Sequence, residues 1–578
     1  MAFVPPQLPK KLAQIFQKAN QSHVAGDLEA AKKGYGEVLM QSPKFFEALH
    51  LMGVLSCQIK DFSAAVGYID KAIKLSPNPV FYFSKGVAHQ ELGQTGLAEI
   101  AYLQALKLRP KYPEANYNLG NLRRSQNKHE ESLEFFERAV SQMPGYVEAH
   151  YNKANALKDI GDFERALQAY DQVIFLNKNY AQAYLNKGMT FKEMRLYDQA
   201  LESYREALQV RPNYADAYSN MGILYTELKL WREALMSFQE ALTLDPTHAQ
   251  ALWNKSLLLL LHSDYKGGFG LYSNRWRTEV MISPLLSTDK PWFLDYSAKV
   301  SRLLIWPEQG IGDEVMFGSL LTQAHSLADH LIVQVDQRLI ALFERSFSGI
   351  TFKPKHEIVD EGLYDAHLPI GQLAEIFCQS IEAFNTIKPN YILSNTARVD
   401  FLKSKLPQNG KPTIGLSWSS KNDKKGKDRS VTLEQLISAI TGQDHIDNRF
   451  AGEIKENRYN FVSLQYGAMT QDLESVQSQF GIEVISYSDI DNYSDIDGLA
   501  ALIQICDLVV SIDNSTVHLS GALGKKTWVL LPYSSDWRWG LDSQESNWYP
   551  SLKLFRQERA GDWSQVFIKL SEALQSFF

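Results

Sequence analysis

The run Ser511-Ile-Asp-Asn-Ser-Thr-Val-His-Leu-Ser-Gly-Ala-Leu-Gly524 decides how the second half of the chain folds. Apolar stretches of strand length flank it, Asp507-Leu-Val-Val-Ser-Ile512 before and Thr527-Trp-Val-Leu-Leu-Pro532 after. Ser520, Gly521 and Ala522 are small enough for the intervening helix to pack closely on a sheet. Strand, polar turn, helix, strand is a βαβ unit. Asp513, Asn514, Ser515 and Thr516 are N-cap types, and the first amides of a helix direct unpaired N–H groups at whatever precedes them. His518 lies in that first turn. Two readings are open here: the turn holds an anion that His518 also faces, or Asp513 caps the helix and His518 fills a gap.

The same alternation extends toward the N-terminus. Arg302-Leu-Leu-Ile-Trp306 reads as a strand, Pro307 to Asp313 as its turn and Glu314 to Ala328 as a helix. A strand at His330–Val335, a helix at Arg338–Phe347 and short strands near 350–352 and 364–368 follow. Pro407-Gln-Asn-Gly-Lys-Pro412 marks a boundary, after which Thr413–Trp418, Phe461–Gln465 and Glu483–Ser486 lead into the βαβ unit, and a helix at Asp562–Phe577 closes the chain. This predicts two parallel, doubly wound half-domains, 300–408 and 409–578, facing each other across a cleft at the carboxyl ends of their strands.

Gly310-Ile-Gly312 begins like a dinucleotide fingerprint, but Val315 stands where the third glycine belongs, so no dehydrogenase follows. Asp313 starts a helix, either complementing its dipole or projecting a base into the cleft. Asp489-Ile-Asp491 and Asp495-Ile-Asp497 do not fit a calcium loop, because Tyr493 takes the fifth position. They read as a solvated acidic loop. The run Lys421-Asn-Asp-Lys-Lys-Gly-Lys-Asp-Arg429 follows a strand end, where a cation beside an anion site can meet phosphate.

The first half repeats. Prolines recur at 9, 43, 77, 110, 144, 212 and 246, a period of 34 with one deletion, which is the mark of tetratricopeptide repeats. Gly53, Gly86, Gly120, Gly188 and Gly222 sit where the first helix of each pair lets its partner approach. Ala65, Ala98, Ala166, Ala200 and Ala234 recur on the second helix. A helix pair cannot bury its apolar face alone, so stacking supplies the core. The array covers 1–275, its last pair degenerate, and 276–299 reads as a linker. Asn118, Asn152, Asn186, Asn220 and Asn254 recur at the same position of the first helix. Asparagine there costs about 0.5 kcal/mol relative to alanine. First helices line the concave face, stacked about 9–10 Å apart, roughly three residues of extended peptide. An amide both donates and accepts, so this ladder either binds a polypeptide backbone of any sequence or bonds only between repeats.

Across 578 residues the net charge is −7, which argues against general nucleic-acid binding. Cys57, Cys378 and Cys506 are too far apart for metal-ligand spacing and fit a reducing compartment. The longest leucine run, Leu257–Leu261, is too short to span a bilayer. A cytoplasmic protein without a transmembrane segment is expected.

Several of these motifs carry a family resemblance. Gly310-Ile-Gly-Asp313 after a strand resembles the amino-terminal motif of the lipopolysaccharide heptosyltransferases. Asp513-Asn-Ser-Thr-Val-His518 resembles their nucleotide-phosphate motif, Asp-Thr/Ser-x-x-x-His, with Asn514 a mild departure. Asp536-Trp-Arg-Trp539, Trp548-Tyr-Pro550 and Leu554-Phe-Arg-Gln557 resemble a bacterial family that joins tetratricopeptide repeats to a GT-B glycosyltransferase module. The asparagine ladder resembles that of eukaryotic O-GlcNAc transferase, although Leu51 and Ser84 replace it in the early repeats. These resemblances imply a repeat superhelix followed by a GT-B module, its first half on the acceptor side and its second on the nucleotide-sugar side. They imply inverting transfer from a nucleotide-diphosphate sugar, needing neither metal nor other cofactor. Asp313 would be the general base. Arg429 would stand where the heptosyltransferases carry a phosphate-binding lysine. Ser417, Trp418, Gln465, Asp513, Asn514, Ser515, Thr516 and His518 would bind the donor, and Asn118, Asn152, Asn186, Asn220 and Asn254 a polypeptide acceptor. The rival expectation is a repeat scaffold carrying an inactive glycosyltransferase relic.

Overall fold

The computed structural model describes residues 8–278, 288–308, 310–420, 426–442, 458–467 and 469–577. They form two compact units, Met1–Leu224 and Tyr225–Phe578.

In the first unit the period becomes antiparallel helix pairs. First helices such as Pro113–Ser125, Val147–Asp159 and Ala181–Glu193 have 13 residues, and second helices such as His129–Gln142 and Phe163–Leu176 have 14. Local signals set these limits. Pro79 and Pro113 occupy first-turn positions, where no amide partner is lost. Asp27, Asp61 and Asp162 each accept from an amide three residues on. The bends inside each pair use left-handed residues, among them Lys60, Asn127 and Arg195. The recurring glycine answers to an aromatic ring on the second helix. A Cβ at Gly120 would lie 2.5 Å from the Phe136 ring, which is wholly buried.

The second unit opens with Trp231–Leu244, Ala249–Leu261 and a short helix, Tyr265–Tyr272. Periodicity ends here for a packing reason. Tyr265, Phe269 and Tyr272 pack on Phe384, Trp537 and Phe317 of the following α/β region instead of on another repeat. Arg275, 1% exposed, stacks on Tyr272 and Trp276 and pairs with buried Glu308. Of the expected linker, 279–287 lies outside the described residues.

Among the described residues, ten strands form two parallel sheets. β1 (Val300–Trp306), β2 (Ala328–Val335), β3 (Ile350–Pro354) and β4 (Ala366–Pro369) assemble in the order β3-β2-β1-β4. β5 (Thr413–Ser417), β6 (Asn460–Ser463), β7 (Val484–Ile485), β8 (Leu508–Ile512), β9 (Thr527–Leu531) and β10 (Leu552–Arg556) assemble in the order β10-β9-β8-β5-β6-β7. Strand order reverses between β1 and β4 and between β5 and β8. These are the points where open α/β sheets gape at their carboxyl ends. The helix expected at Glu314–Ala328 is two pieces, Ile311–Gly318 and Leu321–Ala324. The break falls where Ser319 Oγ donates to the Met316 carbonyl (2.6 Å) and competes with helix bonding. Among the described residues no helix is long and apolar enough to cross a membrane.

The Gly120–Phe136 contact carries a direct test. Gly120→Ala forces a methyl into a closed ring contact and is expected to cost about 1–3 kcal/mol. Gly145→Ala, where a Cβ meets nothing within 4 Å, is expected to stay within about 0.5 kcal/mol of the parent. Thermal melts of the two variants distinguish them.

Candidate functional site

Both reversal points carry the chemistry-bearing segments. Ser417 ends β5 and Ser511 lies opposite it on β8. Asn514 N-caps helix Ser515–Ala522, accepting from the Thr516 amide (3.0 Å), while its Nδ2 donates to Ser417 Oγ (2.8 Å). Asn514 thus ties the helix start to the neighbouring strand. Ser515 is half-buried. Thr516 is fully buried, and its Oγ1 has no partner among the described residues.

Asp513 is buried but does not cap the helix. Its Oδ1 accepts from Trp539 Nε1 (3.0 Å), and its Oδ2 lies 3.3 Å from the Arg429 guanidinium. Burial raises its pKa, and Arg429 opposes that shift. His518 is stacked on Trp539 at 5.4 Å, with Nδ1 3.1 Å from the Tyr549 hydroxyl. Nε2 is left as the ring's remaining polar atom. Burial first, then the charge of Arg538, lowers the His518 pKa to about 3, so the ring is neutral at pH 7.

On the other side, helix Ile311–Gly318 follows β1 and begins beside Asp313. Its Gly312 lies against His518, where an added Cβ would come within 2.9 Å of Cδ2. Arg538 joins the two sides. Its guanidinium donates to the Asp313 carboxylate and also pairs with Asp536. Its Nε is buried without a partner among the described residues. It also borders a cavity of about 310 Å³ lined by His262, Tyr265, Asp542 and Asn547 among others. Asp313, Arg538, Arg429 and the His518 turn therefore converge.

Trp418 and Gln465 have other duties. Trp418 lies in the hydrophobic core of the second sheet, and its Nε1 donates to Asp472 (2.9 Å). Gln465 Oε1 accepts from the Trp418 and Ser419 amides, both 2.9 Å, and its Nε2 donates to the Ser419 and Tyr466 carbonyls. Its amide is spent on shaping the loop after β5. Ser417 Oγ is likewise occupied between Asn514 and Gln465. Of the basic run, 421–425 lies outside the described residues.

The asparagine ladder divides into two groups. Asn152 Nδ2 donates to Tyr117 Oη (3.1 Å) and Asn121 Oδ1 (2.8 Å) of the preceding repeat. Asn186 Nδ2 does the same to Tyr151 Oη (2.8 Å) and Asn155 Oδ1 (2.9 Å), and Asn118 Nδ2 reaches Tyr102 Oη (3.2 Å). These amides spend their donors between repeats. Asn220 instead donates to the Asp216 carbonyl of its own helix (2.8 Å). Asn254 accepts from Gln250 (3.2 Å), and its Nδ2 has no partner among the described residues.

Two features differ from what the sequence suggests. The motif Asp536-Trp-Arg-Trp539 does not by itself single out Arg538, although an arginine in a motif beside a buried strand end is an available signal. The acidic loop is not simply solvated. Asp495 caps helix Ile496–Ile505 and pairs with Arg398, Asp497 pairs with Arg345, and Arg338 donates to the Tyr493 carbonyl (3.0 Å). Three arginines from 300–408 thus hold one loop of 409–578.

Comparison with known proteins bears on the repeats. Tetratricopeptide-repeat family models match residues 83–147, 123–187, 197–229 and 215–248, so the first half carries these repeats. Protein FlbA of Caulobacter vibrioides is 27% identical over 340 residues, covering 56% of this chain. The match spans 54%, about half, of that relative's length. The small glutamine-rich tetratricopeptide repeat-containing protein 2 of Mycosarcoma maydis is 33% identical over 95 residues, 16% of this chain and 27% of its own. Among solved structures, YrrB, described as a TPR protein with an unusual peptide-binding site, covers 33% of this chain and 98% of its own at 24% identity and a TM-score of 0.29. A tetratricopeptide repeat protein from Parabacteroides merdae covers 43% and 100% at 16% identity and a TM-score of 0.35.

The buried imidazole has a pH signature. His518 titrates near 3 in the folded chain and near 6.5 unfolded, so between these values the unfolded state binds the extra proton. Stability conferred by the neutral ring is complete above pH 6.5 and falls as pH drops toward 3, by up to about 1.4 kcal/mol per pH unit. His518→Gln is expected to flatten that part of the stability–pH curve, measured by denaturant melts from pH 7 to 4.

Proposed function

We propose that the chain is a GT-B-type glycosyltransferase that moves a sugar from a nucleoside-diphosphate donor to an acceptor hydroxyl without requiring a metal ion. The observation that carries this reading is the convergence of Asp313, from one sheet's reversal point, on the cationic helix start of the other. In the proposed step the acceptor oxygen attacks the anomeric carbon while Asp313 takes its proton. The bond from that carbon to the diphosphate oxygen breaks, and its electron pair leaves with the diphosphate. The first-turn amide of Ser515, with Arg429 and the neutral His518, receives the charge that develops there. Resemblance to the heptosyltransferases favours inversion.

The acceptor in this reading is a polypeptide bound by the repeats, with Asn220 as its contact in the first unit. Its amide is not consumed between repeats as those of Asn152 and Asn186 are. The competing reading, a binding scaffold with an inactive module, predicts no nucleotide binding.

Thermal shift with a panel of nucleoside diphosphates separates the two. Transfer chemistry predicts stabilisation by one of them, about 2.7 kcal/mol at a hundred times its Kd. No shift from any of them at millimolar concentration supports the scaffold. With the sugar conjugate of that nucleoside diphosphate as donor, Asp313→Asn is expected to lower sugar transfer by about 10²–10⁴-fold. Unaltered turnover removes Asp313 from the chemistry.

A further inference from the structure

Resting on this reading, we infer that Arg538 is a shared cation: it pairs with Asp313 and passes to the donor's diphosphate when the donor binds, freeing the carboxylate to act as base.

The geometry supplies both ends of that exchange. Arg538 is ion-paired with Asp313 on one side of the cleft and with Asp536, two residues before it, on its own side. The next residue, Trp539, donates to Asp513 at the start of the anion-facing turn and stacks on His518. Arg429 contacts the same Asp513 from β5's loop, so two guanidinium groups flank one turn. Arg538 and Arg429 both act electrostatically on Asp513 and on His518, whereas Asp313 is among the charges acting on Arg538. The Arg538 Nε has no partner among the described residues, so a donor position remains for an arriving oxygen.

The physical consequence is a carboxylate that is engaged until the donor arrives, since Arg538 occupies an oxygen of Asp313. A diphosphate carries more charge than Asp313 and accepts the guanidinium fork in a bidentate manner. Moving Arg538 toward it strengthens leaving-group stabilisation and releases that oxygen of Asp313 in one step. Before the donor binds, the acceptor hydroxyl meets only a neutralised pair. Arg538 is thus a positioning residue for the base and a ligand for the donor.

Competition between Asp313 and an anion for one cation has a thermodynamic signature that needs no turnover. Calorimetric titration with inorganic pyrophosphate at physiological salt is measured for the wild type, Asp313→Asn, Arg538→Gln and the double variant. The exchange predicts that Asp313→Asn binds pyrophosphate more tightly, by about fivefold or more. It predicts that Arg538→Gln binds more weakly and that the Asp313→Asn gain vanishes in the Arg538→Gln background. A gain that persists there reports only a removed negative field and overturns the exchange while leaving the transferase reading intact. Failure of both the wild type and Asp313→Asn to bind pyrophosphate overturns the exchange and the diphosphate site together. Arg538→Lys keeps the charge without the fork, and it decides the matter if Arg538→Gln does not fold: the gain must shrink in that background, and an undiminished gain overturns the exchange.

Discussion

One guanidinium spans the gap between the two parallel sheets. Arg538 reaches from the loop after β9 to Asp313 at the helix start after β1, and its neighbour Trp539 fixes Asp513 and His518. Separated from it, Asp313 and the 513–518 turn would be two helix starts on two sheets, each explicable as local capping. Charge at this place is expensive, since a buried arginine must be compensated on every side. Here Asp313 and Asp536 supply that compensation. In the proposed exchange a ligand anion takes over part of that role.

The rest of the second unit holds this arrangement in place. Parallel strand order brings β1 and β8 to their sheets' reversal points, so both helix starts sit at carboxyl ends. Arg338, Arg345 and Arg398 bind the loop around Tyr493, Asp495 and Asp497, a second link between 300–408 and 409–578. The degenerate last repeat adds a third. Its aromatic face is buried on Trp537, adjacent to Arg538, so the packing that ends the array also supports the residue on which the site turns.

Periodicities were readable from sequence because they are short-range. The 34-residue spacing specified helix pairs, the recurring glycine marked where the second helix approaches, and the strand–helix alternation specified parallel sheets. Partners distant in sequence were not readable. Asp313 and Arg538 are 225 positions apart, and no local pattern says which arginine meets which carboxylate. The polar residues after strand ends were ambiguous for a related reason. Trp418 and Gln465 stand where ligand groups often stand, yet their hydrogen bonds are consumed in closing the β5 loop. Asparagine at one repeat position suggested a uniform ladder. The second bond depends on what lies near the preceding repeat, and only some repeats offer a tyrosine hydroxyl with Asn121 or Asn155 to receive it.

The central claim is that the turn from Asp513 to His518 receives a diphosphate. Amide hydrogen exchange across the full chain, with and without a saturating nucleoside diphosphate, reads this residue by residue. The account predicts slowed exchange concentrated at the first amides of helix Ser515–Ala522 and in the Arg538 loop, with the repeats up to Leu224 unchanged. Protection that leaves Ser515–His518 untouched, or appears only on the repeats, would contradict it.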